Sequence, residues 1–167
     1  MKSLLILRHA KTEASSPRGD HARELTDRGR RDATTIGRYI AASIGAPDAI
    51  VTSDASRALA TAELVAAACH FAGELTVEPG IYGAGAEALA GIIRRFPDAA
   101  ACVVLVGHNP GMTNLVALMT RDSAAIEHLP TAGLVRLEHD TDHWAEVTPG
   151  SCRFRDMITP KMLAEEG

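Results

Sequence analysis

Two histidines in this 167-residue chain stand at the ends of apolar runs, and both runs end beside residues that suit an anion. Leu4-Leu5-Ile6-Leu7 leads straight into Arg8-His9, and Cys102-Val103-Val104-Leu105-Val106-Gly107 leads into His108-Asn109-Pro110-Gly111. Short continuous apolar runs bounded by polar loops read as strands buried on both faces. Each histidine then lies at a strand's carboxyl end, the edge where open α/β sheets bind ligands. Taken alone, Arg8-His9 also fits a strand cap with two solvated polar residues. The second stretch changes the balance. Pro110 fits the first turn of a helix continued by Leu115, Val116, Leu118 and Met119, and the free N–H groups of such a helix start favour an anion at the same edge. Two histidines and at least one arginine then converge on a site of phosphate size.

The elements needed to position them alternate between strand and helix. After the first strand comes a polar loop to Glu24. Thr26 reads as a helix N-cap, with Ala33, Ile36, Ile40 and Ile44 at helical spacing and Gly45-Ala46-Pro47 as the stop. Ala49-Ile50-Val51-Thr52 is a short strand. The chain turns at Ser53-Asp54 and enters a helix through Arg57, Leu59, Ala62, Leu64, Val65 and Ala68. A cation at a helix start is locally disfavoured, so Arg57 there points to a role, and charge and helix dipole together would favour a phosphate. Leu75-Thr76-Val77 reads as an edge-like strand, and Glu87 to Phe96 as a helix burying Leu89, Ile92, Ile93 and Phe96. Arg121 to Glu127 reads as a surface loop. Leu134 to Glu138 reads as a strand with one wet face, and His139 to His143 as a turn. Trp144 to Thr148 would be the return strand of a hairpin, and the tail after Asp156 carries weak signals. His139, Asp140, Asp142 and His143 have metal-ligand chemistry, but a hairpin tip holds ligands loosely and a solvated turn is the better reading. His21, His70 and His128 read as surface residues.

Composition narrows the function classes. A hydrophobic share of 46% marks an ordinary folded protein and not a disordered one, and the length fits one domain, residues 1–167. A net charge of −4 offers no basic field for nucleic acid, so a phosphate must be held by a few local arginines. No apolar run reaches the roughly 20 residues of a membrane span, and Met1-Lys2-Ser3 leads directly into the first strand, so no signal peptide is expected. Cys69, Cys102 and Cys152 are odd in number and widely spaced, which argues for reduced thiols in a cytoplasm. There is no Walker-type glycine loop, no G-x-S-x-G elbow, and no cysteine leading a phosphate loop.

Arg8-His9-Ala10, followed later by Gly107-His108-Asn109-Pro110-Gly111, resembles the histidine phosphatase superfamily, which also includes the cofactor-dependent phosphoglycerate mutases. Between the two motifs, Ser53 to Ala62 resembles the family's S-x-x-x-R-A-x-x-T-A segment. The short chain, Ala10 where most members have Gly, and Asp20-His21-Ala22-Arg23-Glu24-Leu25-Thr26-Asp27-Arg28-Gly29 look most like the small phosphohistidine phosphatase branch. The resemblance runs from Leu4 to about Leu137. It implies a three-layer α/β/α sandwich with a mostly parallel central sheet, as in phosphoglycerate mutases. It implies catalytic roles for His9, His108, Arg8 and Arg57, with Arg8, Arg57, Arg23, His108 and Asn109 binding substrate. Arg23 also fits a solvated loop cation.

His9 would be the nucleophile, with one ring nitrogen free and the other holding its proton against a carbonyl. The arginines would clamp the phosphoryl group, and His108 would stabilise its charge, best as imidazolium. No metal and no cofactor is implied. The general acid stays unassigned, with Glu74 to Glu87 as the stretch to search. The expected function is hydrolysis through a covalent phosphohistidine, acting on protein phosphohistidine. The alternatives are a phosphatase for a small phosphorylated metabolite and a phosphate-binding module without turnover. A mutase fits less well, because the chain has few insertions to hold a sugar-sized substrate. Nucleic acid and membrane are not expected partners.

Overall fold

The apolar runs pair side by side. In the computed structural model, which describes residues 1–166, strands β1 (Lys2–Arg8), β2 (Ala49–Thr52), β3 (Thr76–Val77), β4 (Cys102–Gly107), β5 (Leu134–His139) and β6 (Arg153–Ile158) form one sheet in the order β3-β2-β4-β1-β5-β6. β3, β2, β4 and β1 are parallel, whereas β5 and β6 pair antiparallel. Side chains alternate across a strand, and β1 uses both faces. Leu5 and Leu7 pack with Ile36, Ile40 and Val65 of α1 (Asp27–Ser43) and α2 (Ser56–Ala68). Leu4 and Ile6 pack with Leu89, Ile93, Leu115 and Val116 of α3 (Ala86–Ile93) and α4 (Gly111–Thr120). Each such side chain contributes about 1.5–3 kcal/mol when fully buried. Covered faces on both sides explain why β1 and β4 read as unbroken apolar runs, and they make the three-layer α/β/α sandwich. The Thr26 cap forms as the sequence predicts, its hydroxyl accepting from Gly29 N at 3.0 Å.

The C-terminal third departs from the sequence reading. Trp144 does not start a return strand; Trp144–Glu146 is a 3-10 turn. Its indole is fully buried edge-on against Phe96, and its N–H donates to Ala100 O at 2.7 Å. A buried indole with a satisfied N–H is worth more in the core than on a half-wet strand. The partner of β5 arrives later, after the turn at Gly150, where φ is +78°. β5 therefore has a neighbour on each side, Arg136 is half-buried, and even Glu138 is buried. The tail is also structured: β6 runs past Asp156, and α5 (Pro160–Glu166) packs Leu163 onto the α1–α2 layer. Among the described residues, no helix is long and apolar enough to cross a membrane.

Candidate active site

Register brings the two histidines together. β1 and β4 pair with Arg8 opposite Gly107, so His9 and His108 leave the sheet at the same level, and His9 N donates to Gly107 O at 3.1 Å. β2 ends beside them, with Ser53 N donating to Val106 O at 3.1 Å, and α2 then starts at Ser56 with Arg57 in its first turn. Three parallel strands thus deliver His9, His108, Ser53 and Arg57 to one carboxyl edge. The pocket there holds about 520 Å³ and is lined by Arg8, His9, Asp20, Arg23, Arg57 and His108 among others. The ring centroids of His9 and His108 lie 5.3 Å apart.

His9 is held in one tautomer. Its Nδ1 lies 2.8 Å from Ala10 O, so Nδ1–H donates and Nε2 keeps its lone pair. Ala10 is fixed in turn, its N–H donating to Thr61 Oγ1 at 3.0 Å while the Thr61 hydroxyl donates to Arg57 O at 2.7 Å. The ring is only 6% exposed. Burial, together with His108, Arg57 and Arg8, pushes its pKa from 6.5 down to about 3 despite the favourable bond to Ala10. Neutral imidazole is the form that can attack phosphorus.

The imidazolium expected of His108 belongs to a site that holds a phosphoryl group, whose charge would favour the ring's proton. Burial and then Arg57 push its pKa to about 4 in this structure. Its Nε2 lies 2.8 Å from Ser53 Oγ, and that oxygen also accepts from Ala55 N at 3.2 Å. Where the Ser53 hydroxyl donates to Nε2, the proton of neutral His108 sits on Nδ1. Neutral His108 can then serve as an N–H donor without carrying charge. Nδ1 of His108, Nε of Arg8 and Nε of Arg57 are all buried with no acceptor among the described residues. Polar atoms left unpaired in this way cost about 1–3 kcal/mol each, and all three residues line the pocket.

The arginines differ in freedom. Arg57 is 6% exposed, with Nη1 donating to Asp20 O at 2.8 Å and Nη2 to Asp20 Oδ2 at 3.1 Å. Arg23 is tied to its own loop, donating to Glu13 O, Asp20 Oδ1 and Thr12 Oγ1, yet it still lines the pocket. Arg8 donates from Nη1 to Leu129 O at 3.2 Å and lies 3.4 Å from His128 Nε2. Asn109 lines the pocket, but its amide is engaged, donating to Leu129 O and accepting from Thr113 N and Oγ1. The helix start also differs from the expectation. Pro110 is the N-cap residue of α4, and the N–H groups of Met112 and Thr113 are taken by His108 O and Asn109 Oδ1. The α4 terminus therefore has less to offer an anion than the sequence suggested.

Residues given no role from the sequence complete the site. The stretch searched for an acid brings no carboxylate to the pocket; Glu78 accepts from Gly80 N instead. It brings Tyr82, whose ring meets His108 and His21 edge-on and whose hydroxyl donates to Asp20 Oδ2 at 2.6 Å. Gly111 lets the segment after Tyr82 lie close to the start of α4, since a Cβ there would collide with Ala84 O. Asp20 receives Tyr82, Arg23 and Arg57, and these contacts hold its carboxyl well below the usual carboxylate range. His21 and His128 are not isolated surface residues: His21 pairs with Asp54 at 3.1 Å, and His128 neighbours Arg8. Ser53 and Thr61 flank Arg57 in the sequence, but their links to His108 and Ala10 cross from segments distant in the chain. His139, Asp140, Asp142 and His143 do not converge, and among the described residues no group of three His, Cys, Asp or Glu could hold a metal.

This arrangement is shared with known proteins. A sequence model of the histidine phosphatase superfamily (branch 1) matches residues 4–82. The chain is 32% identical to the Mycobacterium tuberculosis protein Rv1276c over 165 residues, covering 93% of this chain and 100% of that one. The Agrobacterium tumefaciens protein assigned as the phosphohistidine phosphatase SixA superposes with a TM-score of 0.81 at 28% identity, covering 95% of this chain and 98% of that one. The protein with the same assignment from Nakamurella multipartitia shares the fold, with a TM-score of 0.83 at 23% identity, covering 95% and 96%. Matching sequence, fold and strand-end chemistry agree, and the chain belongs to the histidine phosphatase superfamily, branch 1.

Proposed function

We propose that this phosphatase removes the phosphoryl group from protein phosphohistidine by way of a covalent intermediate on His9. The observation that carries the reading is that, among the described residues, no carboxyl group lining the pocket is free to give a proton. The one carboxylate lining the pocket, Asp20, is held ionised by Tyr82, Arg23 and Arg57. An alcohol leaving as alkoxide needs a proton in the transition state, help worth about 10²–10⁴-fold. A phosphorylated imidazole whose other nitrogen is protonated departs as neutral imidazole and needs no such help. The similarity to the Agrobacterium protein supports the same substrate class.

In the first step, the Nε2 lone pair of His9 forms a bond to phosphorus as the bond to the leaving imidazole breaks. Nδ1 keeps its proton on Ala10 O throughout. Arg8, Arg57 and the Nδ1–H of His108 face the phosphoryl oxygens, where electrostatic stabilisation matters most. Arg23 and Asn109 act at the pocket wall. In the second step, water attacks phosphorus, the bond to His9 breaks, and neutral His9 and dihydrogen phosphate result. The reading also includes a cytoplasmic location, supported by three free cysteines.

The test is kcat/KM for a phosphohistidine-bearing protein against a sugar phosphate at matched pH. The expected preference is about 10²-fold or more for phosphohistidine. Equal values, or a preference for the sugar phosphate, would favour the small-metabolite reading. Binding of both with turnover of neither would favour a binding module.

A further inference from the structure

Asp20 occupies an unusual position for an acid. It lines the same pocket as Arg8, His9, Arg57 and His108, where every other charged lining side chain is a cation or a histidine. Both of its oxygens are in use. Oδ1 accepts from Arg23 Nη1 at 2.9 Å, and Oδ2 accepts from Arg57 Nη2 at 3.1 Å and from the Tyr82 hydroxyl at 2.6 Å. A carboxylate asks of an arginine what a phosphoryl group asks, namely oxygens set against a planar fork of N–H donors. Asp20 therefore sits on Arg57, which the phosphoryl group would use, and on Arg23 at the pocket wall.

The residue is also built to move. Its side chain is 52% exposed, so releasing it opens no core. Gly19 before it has φ of +95°, a backbone state that costs glycine little, and residues 13–15 and 17–21 of the loop are exposed. Arg57, by contrast, is fixed on α2 and almost fully buried. When a second anion arrives, the half-exposed partner is the one that can yield.

We propose that Asp20 is a built-in competitor for the phosphoryl seat, a specificity residue that holds Arg23 and Arg57 until a phosphoryl group displaces it and that returns as orthophosphate leaves. The inference rests on the reading of this pocket as a phosphoryl site. A ligand must outmatch a carboxylate that is already in place. A phosphoryl group does so by adding Arg8 and the Nδ1–H of His108, which Asp20 does not engage. A simple carboxylate ligand brings no more than Asp20 itself. The Tyr82 hydroxyl anchors the competitor without adding charge.

The opposite role, a brace that aligns the arginines for phosphate, predicts changes of opposite sign. The experiment is calorimetric titration of inorganic phosphate into the full chain and its Asp20→Asn and Tyr82→Phe variants, at fixed pH and ionic strength. Asp20→Asn keeps the shape and removes the charge, and phosphate should bind about tenfold more tightly. Tyr82→Phe leaves the charge unchanged and loosens the anchor, and binding should tighten about threefold. Weaker or unchanged binding in Asp20→Asn would overturn the inference. So would tighter binding in Asp20→Asn without any in Tyr82→Phe, which would be bulk charge alone. Absence of phosphate binding in all three folded proteins would overturn the phosphoryl reading of the pocket together with the inference, whereas weakening alone leaves that reading standing.

Discussion

His9 and His108 on one side of the molecule and His143 on another are the same residue type under opposite rules. The first two sit at the ends of β1 and β4, buried beside Arg8 and Arg57, and their pKa values fall to about 3 and about 4. His143 lies on the exposed turn after β5, its Nδ1 3.1 Å from Asp98 Oδ2, and that hydrogen bond raises its pKa. Burial and cations expel the proton in one place; an open surface and a carboxylate retain it in the other. The comparison teaches that nucleophilic character here comes from the sheet edge and not from histidine itself. A histidine-carboxylate pair near a turn is an ordinary surface contact, however chemical it looks in sequence.

The hardest way to break the comparison is to remove the nucleophile. His9→Ala should lower kcat by about 10⁴-fold or more, the scale on which covalent nucleophiles count, while His143→Ala should leave turnover near normal. Rapid-quench mass spectrometry of the parent protein should find an acid-labile, base-stable phosphoryl group on His9. Turnover without that label would sink the mechanism.

A smaller effect tests the arginines that set the environment. Arg57→Ala should cost about 10²-fold or more in kcat/KM, as for one lost transition-state charge contact. Arg23→Ala should cost less, because Arg23 is committed to Glu13 O and Thr12 Oγ1 as well as to Asp20. A larger loss in Arg23→Ala would mean that the loop arginine is the main clamp.

The smallest effect is the most direct test of the contrast. In an NMR pH titration of the histidine rings, His9 and His108 should stay neutral from pH 7 down to about 4, whereas His143 should protonate above 6.5. The linkage signs then differ. The unfolded chain takes up protons near 6.5 that folded His9 and His108 refuse, so these two destabilise the fold progressively as pH drops from about 6.5 toward about 4. His143 contributes stability below its unfolded value, and that contribution is lost as pH rises through its raised folded value. His9 titrating with His143 would refute the assigned environment.

Much of this was legible in the sequence, because local pattern carries it. Leu4–Leu7 and Val103–Val106 are apolar on both faces and had to be buried strands. Thr26 caps α1 through its own hydroxyl three residues from Gly29, a bond that local spacing fixes. A histidine directly after each strand marked the edge, and parallel pairing of β1 with β4 then made His9 and His108 neighbours.

What only the tertiary structure decided are the partners separated by many residues. Trp144 went to the core because Phe96 and Ala100 O were there to receive it, which no strand propensity records. The strand that pairs with β5 was set by which later segment could reach it, and this proved to be Arg153–Ile158. The protonation of His108 depends on Ser53 and Arg57 from other strands and helices, and the state of Asp20 depends on Tyr82, 62 residues away. Sequence fixes which side chains stand at a strand's end, since that is a matter of spacing along the chain. Charge state and hydrogen-bond direction depend on distance and burial, and those exist only once the chain has closed on itself.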